Sequence, residues 1–591
     1  MNFYSDEKEW KWLFKNAIDW DKLLPLFYPE YPTEDGFESK QEVLDFLEEL
    51  LVSTGDWAGK SIAARAERLD REGAGKIENG RTIPGEALSE LYREATELSI
   101  FGVTLPRKYG GLETPTTGPL IGLAAMARGC IATSTQIAFF TSIGEMVNRF
   151  CDEKTAERII PKIISGETSG AMCLTEPGCG SDLGSLRTSA TLQEDGTYLI
   201  NGNKIFITNG GGGICLVLAR IKDAPEGLEG ISMFLVEQDV PGKEGINYVV
   251  AKNEDKMGMH GSFTTELVFE NSVGQLIGKA NEGFKQMLHL MNEARLVTAL
   301  QALGGIEASL SYARKYAGER TQFGKPIEEL PLMKRNLEDF EAERDGLRAL
   351  LVDTMTHFDI YQRLELKKQK TNDLTKEEEE LFEEAQLWTR KRTPLVKYYA
   401  TELASILTIK GIQVLGGYGY MKEYPVERIH RDIFGPLLYE GTSQIQALMA
   451  LKDMVKYAMK EPKRFASNVV FKHKWLNPTK ENSEWMKDFK TIHFKFKRKL
   501  VSLLYSALKP DASEVFTLKS WAKEENVNKL MTHAETLCQA LSYLETLRVL
   551  CDHANKDEER KILYFRYRDI VQPKLEAIYM DWSLRMKKSG Y

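Results

Sequence analysis

No apolar run in this sequence approaches the roughly 18 residues that a membrane-spanning helix needs. The opening stretch, MNFYSDEKEWKWLFKN, mixes charges with aromatics and lacks the basic-then-apolar layout of a secretory signal. The simplest address is the cytoplasm. The seven cysteines (Cys130, Cys151, Cys173, Cys179, Cys215, Cys538 and Cys551) form no CxxC pair, and the eight histidines form no HExxH pair. A zinc site is therefore not expected, and the thiols read as reduced and mostly structural. Nor is there a basic excess. Against 78 Lys and Arg stand 86 Asp and Glu, a formal net charge of -8, which excludes a general nucleic-acid binder with a concentrated basic face. A dinucleotide fingerprint is missing too. GCGSDLG at 178–184 spaces its glycines as GxGxxxG, and neither it nor GGYG at 416–419 sits between a parallel strand and a long helix. There is no internal repeat and no low-complexity tract.

What is present is a chain of 591 residues, too long for one hydrophobic core. Residues 40–69 carry Val43, Leu47, Leu50 and Leu51 at helical spacing. Thr82 followed by Pro84 predicts a helix start, and Gly102 a stop. Further helices are predicted near 118–131, 134–150 and 153–164. After Gly166 the runs become short and β-rich. SATLQEDGTYLINGNKIFITNG reads as a hairpin turning at Glu194-Asp195-Gly196, and LVLARI, ISMFLVEQ and TTELVFEN as further strands. With no long helix between them, antiparallel packing is favoured over βαβ units. Helical periodicity returns from Gly283 to about Val455, interrupted by the polar stretch LKKQKTNDLTKEEEELFEE, a solvated loop or exposed helix face. Beyond Pro462 lies a mostly helical region with the basic, aromatic, amphipathic segment HFKFKRKLVSLLYSALK at 493–509. A helix packing on its own domain or on a partner subunit is favoured there over peripheral membrane contact. The fold class is α+β. The expected domains are an N-terminal extension (1–36), an N-terminal helical domain (37–168), a middle antiparallel β domain (169–282), a C-terminal helix bundle (283–455) and an extra C-terminal helical domain (456–591).

Several blocks carry chemistry. CLTEPGCGSD, Cys173 to Asp182, combines glycines, which let backbone approach a planar ring, with short hydroxyls that can donate to its edge. Taken alone it reads equally well as a tight strand-end turn. ERTQFGKPI, Glu319 to Ile327, sets Arg320 three residues from Phe323, a planar fork suited to a diphosphate beside a face for a ring. Taken alone these are a surface arginine and a core aromatic. In YEGTSQIQ, Tyr439 to Gln446, Glu440 follows the apolar GPLL and precedes Gly441. Such a setting could desolvate a carboxylate and tune it as a base. FITNGG (206–211) and GIQVLGGYGYMKEYPVERIHRD (411–432) complete the set.

In order and separation these blocks resemble the acyl-CoA dehydrogenase family over roughly residues 40–455, in the long bacterial branch with an added C-terminal helical domain. The resemblance implies an FAD-dependent α,β-dehydrogenation of an acyl-CoA to its trans-2-enoyl-CoA, within fatty acid β-oxidation. Glu440 is implied as the catalytic base that abstracts the α-proton, while the β-hydride goes to the flavin. Thr175, Ser181, Phe206 and Thr208 are implied at the flavin, Phe206 standing where the family commonly has Trp. Arg320, Gln322 and Phe323 would hold the ADP part of FAD, with Gln413, Gly416 and Gly417 reaching the same diphosphate from another subunit. Thr442 and Gln444 would contact the cofactor. Ser181, Asn292, Arg295, Tyr439 and Gly441 are implied at the substrate, Asn292 standing where many relatives carry an acid and Arg295 supporting the catalytic loop. Glu293 lies near an alternative base position of a few relatives and reads as secondary or structural. The implied partners are acyl-CoA, electron-transfer flavoprotein and a second copy in a homodimer. An acyl-CoA oxidase using oxygen and a non-catalytic flavin-binding assembly protein remain as alternatives.

Overall fold

The computed structural model describes residues 1–460, 483–508 and 523–587. In chain order its main helices are α1 (Lys8–Asn16), α2 (Lys40–Trp57), α3 (Ala63–Glu72), α4 (Glu86–Glu97), α5 (Thr117–Gly129), α6 (Ile131–Phe150) and α7 (Glu153–Ile164). After the strands come α8 (Gly283–Glu319), α9 (Pro331–Thr371), α10 (Lys376–Leu415), α11 (Pro425–Leu438) and α12 (Ser443–Lys460). The last are α13 (Glu484–Leu508), α14 (Ala534–Lys556) and α15 (Lys561–Lys587). By internal contacts the chain forms two units. One comprises Met1–Glu7, Asp21–Ala308 and Met421–Pro436, and the other Lys8–Trp20, Ser309–Tyr420 and Leu437–Tyr591.

In the first unit α5 is buried on every side, so its sequence lacks a polar face. It lies against α8 at Gly304, where a Cβ would stand 2.6 Å from the backbone nitrogen of Arg128. The helix start expected at Thr82 is corrected. Arg81–Pro84 is β2, paired with β1 (Gly75–Glu78), and α4 begins at Glu86 after Gly85 and ends at Glu97, short of Gly102. Proline at a strand end needs no ladder donor, so Pro84 closes a strand as readily as it opens a helix.

The strands β3 (Ser169–Cys173), β4 (Ser189–Leu192), β5 (Tyr198–Thr208), β6 (Gly213–Ile221), β7 (Ile231–Glu237), β8 (Val249–Asn253) and β9 (Thr264–Ile277) make one sheet. Five of them close a ring, β6–β4–β5–β9–β7 and back to β6, with β3 and β8 at its flanks. Period-two alternation fills the interior: Tyr198 and Ile200 from β5, Cys215, Val217 and Ala219 from β6, Phe234 and Val236 from β7. The expected hairpin is β4–β5, with Leu192 opposite Tyr198 and Gly196 at φ 84° in its turn. The sheet is mixed, because β6 pairs in parallel with both β3 and β4 while the other pairings are antiparallel.

In the second unit the polar stretch near 366–384 is largely helix. α9 runs to Thr371, and α10 starts behind a Thr375–Glu378 capping box. The C-terminal region is tied to the bundle by buried charge. Arg392 on α10, 1% exposed, bonds Glu545 on α14 at 3.0 Å and also pairs with Asp353 on α9. Its guanidinium lies 3.9 Å from the centroid of Trp388. Arg548 joins the same Asp353 at 3.1 Å. The N-terminal helix α1 belongs to this unit: Trp12 donates to Asp557 at 3.0 Å, and Glu9 pairs with Arg560. The amphipathic segment lies within α13, which buries Phe489, Ile492, Phe496, Leu500 and Leu503. Its last residue, Lys509, lies outside the described residues.

Candidate active site

In the first unit the loop after β3 is held from beneath by a buried ion pair. Lys204 on β5 has no exposed side-chain surface. Its ammonium donates to Glu176 at 2.8 Å, to the Leu174 carbonyl at 3.0 Å and to the Leu218 carbonyl at 2.8 Å. All three of its donors are thereby used. Glu176 in turn accepts from the backbone N–H of Arg187 at 2.6 Å and from the Thr188 hydroxyl at 2.6 Å. Burial pushes the Glu176 carboxyl up, but the Lys204 charge and these hydrogen bonds outweigh it and hold the group below the usual carboxylate range. Complete burial pulls Lys204 down, against the attraction of Glu176.

This wiring places the predicted flavin residues on adjacent backbone. The Ile205 N–H donates to the Thr175 carbonyl at 3.0 Å, bringing the TEPG and FITNG segments side by side. Thr175 and Thr208 are half-buried and Ser181 is exposed. Phe206 is 62% exposed and sits at φ 58°. The corner beyond it is pinned by Asn209, whose amide donates to the Ser169 hydroxyl at 2.8 Å and the Gly170 carbonyl at 2.9 Å. On α8, Arg295 is buried and donates to Asn292 at 2.9 Å, the i, i+3 spacing of one helical face.

In the second unit Arg320 precedes a small hairpin, Thr321–Gln322 against Lys325–Pro326. Its two-residue loop, Phe323-Gly324, has φ 55° and 80°, the left-handed pair of a type I′ turn. Asn or Gly is the usual occupant of the first position; a phenylalanine there is strained, and its ring is 90% exposed. Gln413, Gly416 and Gly417 form a second open stretch at the end of α10. A Cβ built on either glycine meets nothing within 4 Å.

Glu440 lies between α11 and α12, also in the left-handed region at φ 57°, followed by Gly441 at φ 91°. Lys397 on α10 spans the loop, donating to the carbonyls of Leu437 at 3.2 Å and Gly441 at 2.7 Å. Gln446 donates to the Glu440 carbonyl, and Ser443 to Glu402. Half-buried Tyr439 and Gly441 flank the base, and Thr442 and Gln444 are exposed. Among the described residues, six outside Asn, Asp and Gly have positive φ: Ser99, Glu113, Phe206, Met259, Phe323 and Glu440. Three of the six are predicted site residues, and such strain gathers where side chains must be aimed rather than merely packed.

Glu176, Lys204, Asn209, Lys397 and Gln446 are positioning residues that the sequence reading left unassigned. Lys204 had a legible signal, since it shares the inward parity of Tyr198 and Ile200 along β5. The IHRD end of the third block serves as a clasp in the first unit. Arg431 pairs with Asp70 at 2.7 Å, and Asp432 accepts the Met259 N–H at 2.6 Å.

Within the second unit, the open glycine backbone at Gly416 and Gly417, the strained and exposed Phe323 and the carboxylate of Glu440 are of the kinds that suit a planar, diphosphate-bearing cofactor and proton chemistry, as in a flavoprotein oxidoreductase. Comparison with known proteins gives the particular family. The N-terminal, middle and C-terminal domain models of acyl-CoA dehydrogenase match residues 47–167, 171–272 and 281–455. The acyl-CoA dehydrogenase of Bacillus subtilis is 33% identical over 67% of this chain and 94% of its own. The 3-methylmercaptopropionyl-CoA dehydrogenase of Ruegeria pomeroyi is 31% identical over 71% and 72%. The solved acyl-CoA dehydrogenase of Bacillus anthracis, complexed with FAD, superposes with a TM-score of 0.75 over 92% of this chain and 89% of that one, at 21% identity. The last likeness extends the fold into the C-terminal helices. The chain belongs to the acyl-CoA dehydrogenase family, and FAD is its cofactor.

Proposed function

We propose that this chain dehydrogenates an acyl-CoA thioester to its trans-2-enoyl-CoA, with Glu440 as the base that removes the α-proton, and passes the electrons to electron-transfer flavoprotein. The observation that carries the reading is the loop at Glu440. Its left-handed backbone is fastened by Lys397 and Gln446 through main-chain carbonyls, which fixes the direction of the loop that carries the carboxylate. A thioester α-proton is weakly acidic, so its removal needs a positioned base and polarisation of the thioester oxygen. The Glu440 N–H is the protein donor for that oxygen. The chemistry supplied by bound FAD is acceptance of the β-hydride.

Thr175, Ser181, Phe206 and Thr208 surround the flavin ring, with Thr442 and Gln444 also on the cofactor. Arg320, Gln322 and Phe323 hold its ADP end, met by Gln413, Gly416 and Gly417 of a second copy. Ser181, Asn292, Arg295, Tyr439 and Gly441 contact or support the acyl-CoA. A homodimer is supported by the apolar surface of the second unit: Tyr312, Phe323, Leu332, Ile406, Ile409 and Tyr420 are 40%, 90%, 71%, 50%, 45% and 81% exposed. Among the described residues no helix is long and apolar enough to cross a membrane. The reading places the enzyme in the cytoplasm, in fatty acid β-oxidation.

The test is anaerobic mixing of the yellow holoenzyme with a panel of acyl-CoA thioesters, followed by exposure to air. Flavin bleaching with slow reoxidation in air and fast reoxidation by electron-transfer flavoprotein is expected. Fast reoxidation by oxygen would make it an oxidase. A colourless protein that takes up no FAD would make it an assembly protein.

A further inference from the structure

We propose that the C-terminal helical region aims the catalytic base: Tyr567 of α15 and Glu545 of α14, both beyond the family domains that end at residue 455, are positioning residues that act on Glu440 through α10. The inference rests on the reading of Glu440 as the base and deepens it. All of these groups belong to the second unit. The shared element is α10. From it Lys397 donates to the Leu437 and Gly441 carbonyls, and Glu402 accepts the Ser443 hydroxyl. Three residues before Lys397 the helix contains Pro394. Proline has no N–H and its ring crowds the carbonyl four residues back, so one rung of the helix is missing beside the anchor of the loop.

Arg392 and Tyr399 straddle that gap. Seven residues apart, they share one face of α10, and Lys397 lies about 160° around the helix from Tyr399. Both straddling side chains end in the C-terminal region. Arg392 bonds Glu545 at 3.0 Å, each side chain 1% exposed. The Tyr399 and Tyr567 hydroxyls share a buried hydrogen bond of 2.7 Å. Tyr567 itself is closely seated, because a Cβ on Gly346 of α9 would stand 2.8 Å from its ring. α12, which begins at Ser443, rests on α14 as well. The C-terminal helices thus splint α10 across its proline, and the helix passes that rigidity to the carbonyls that bracket Glu440. A small misplacement of a reacting group slows the chemical step while leaving binding in place.

Tyr567→Phe tests this, since it keeps the ring and removes the hydroxyl. In the FAD-loaded variant, hydrogen–deuterium exchange should be about two- to tenfold faster across peptides covering 437–446 and unchanged across α5 of the first unit. The limiting rate of flavin reduction by an acyl-CoA in anaerobic stopped flow should fall by a similar factor, with the dissociation constant of the thioester unchanged. The double change Tyr399→Phe/Tyr567→Phe leaves no buried hydroxyl unpaired, so it should restore the thermal midpoint without restoring the rate. Glu545→Gln should move exchange and rate in the same direction; should it misfold, the tyrosine variants decide. Unchanged exchange at 437–446 in Tyr567→Phe, equal acceleration throughout the second unit, or a rate that recovers together with the midpoint would overturn the inference. A slowed Glu440→Gln beside an unmoved Tyr567→Phe contradicts this inference alone. The expected exchange response in a protein whose flavin no acyl-CoA reduces contradicts the dehydrogenase reading alone.

Discussion

In the first unit the loop that bears Thr175 and Ser181 hangs from Lys204, a side chain with no exposed surface, while in the second unit Phe323 stands 90% exposed at the tip of a two-residue turn. The first arrangement is complete within the chain. Every donor of Lys204 meets a carbonyl or carboxylate, and Glu176 passes the constraint on to Thr188. The second presents a strained aromatic and open glycine backbone outward. The difference teaches where geometry comes from. On the proposed reading, the residues assigned to the flavin edge are aimed by the protein's own charges, whereas those assigned to the ADP end would be covered only by cofactor and a second copy.

The comparison breaks most readily at Lys204. Lys204→Met leaves Glu176 buried beside methylene and should cost about 3–5 kcal/mol in denaturant unfolding. Adding Glu176→Leu should recover a large part of that loss, because the two sites share one interaction. An additive double mutant would contradict the pairing. The companion change Glu176→Gln sharpens the point through pH. The folded Glu176 titrates below its ordinary value of 4.5. Its stabilisation is therefore present above that value and lost as pH falls through the lower folded one. The thermal midpoint gap between wild type and Glu176→Gln should be full at pH 7 and shrink toward pH 3; a constant gap would contradict it.

Lys397→Met tests the other internally wired segment. It removes two hydrogen bonds to the carbonyls around Glu440 and should cost about 1–3 kcal/mol. Its turnover should fall by more than its FAD content. Activity loss that only follows loss of FAD would contradict a positioning role. The smallest stability effect belongs to the exposed side. Arg320→Ala should leave apoenzyme unfolding within about 0.5 kcal/mol of wild type and yet release FAD more readily in a fluorescence titration. An unchanged FAD affinity would count against the diphosphate role.

Much of this was legible in the sequence because its signals are local. Helical spacing marked α2, a turn between two short β-rich runs marked β4 and β5, and the glycine-bearing blocks marked segments that include loops and turns. Residues whose meaning depends on distant partners were not legible. Lys204 needs Leu174, Glu176 and Leu218, which the barrel brings together from three separate stretches. Lys397 needs the loop more than 40 residues later. Thr82–Pro84 misled because proline's missing N–H suits a strand end and a helix start alike. The left-handed backbone of Phe206, Phe323 and Glu440 is invisible in composition, since none of these residues favours it.

The central claim stands on Glu440, and the most direct measurement is anaerobic stopped-flow reduction of the FAD-loaded Glu440→Gln variant by an acyl-CoA that reduces the wild type. The variant should keep its FAD and still bind the thioester, with flavin reduction slowed by roughly 10²–10⁴-fold or more. Reduction at a rate near that of the wild type would contradict the assignment of Glu440 as the base.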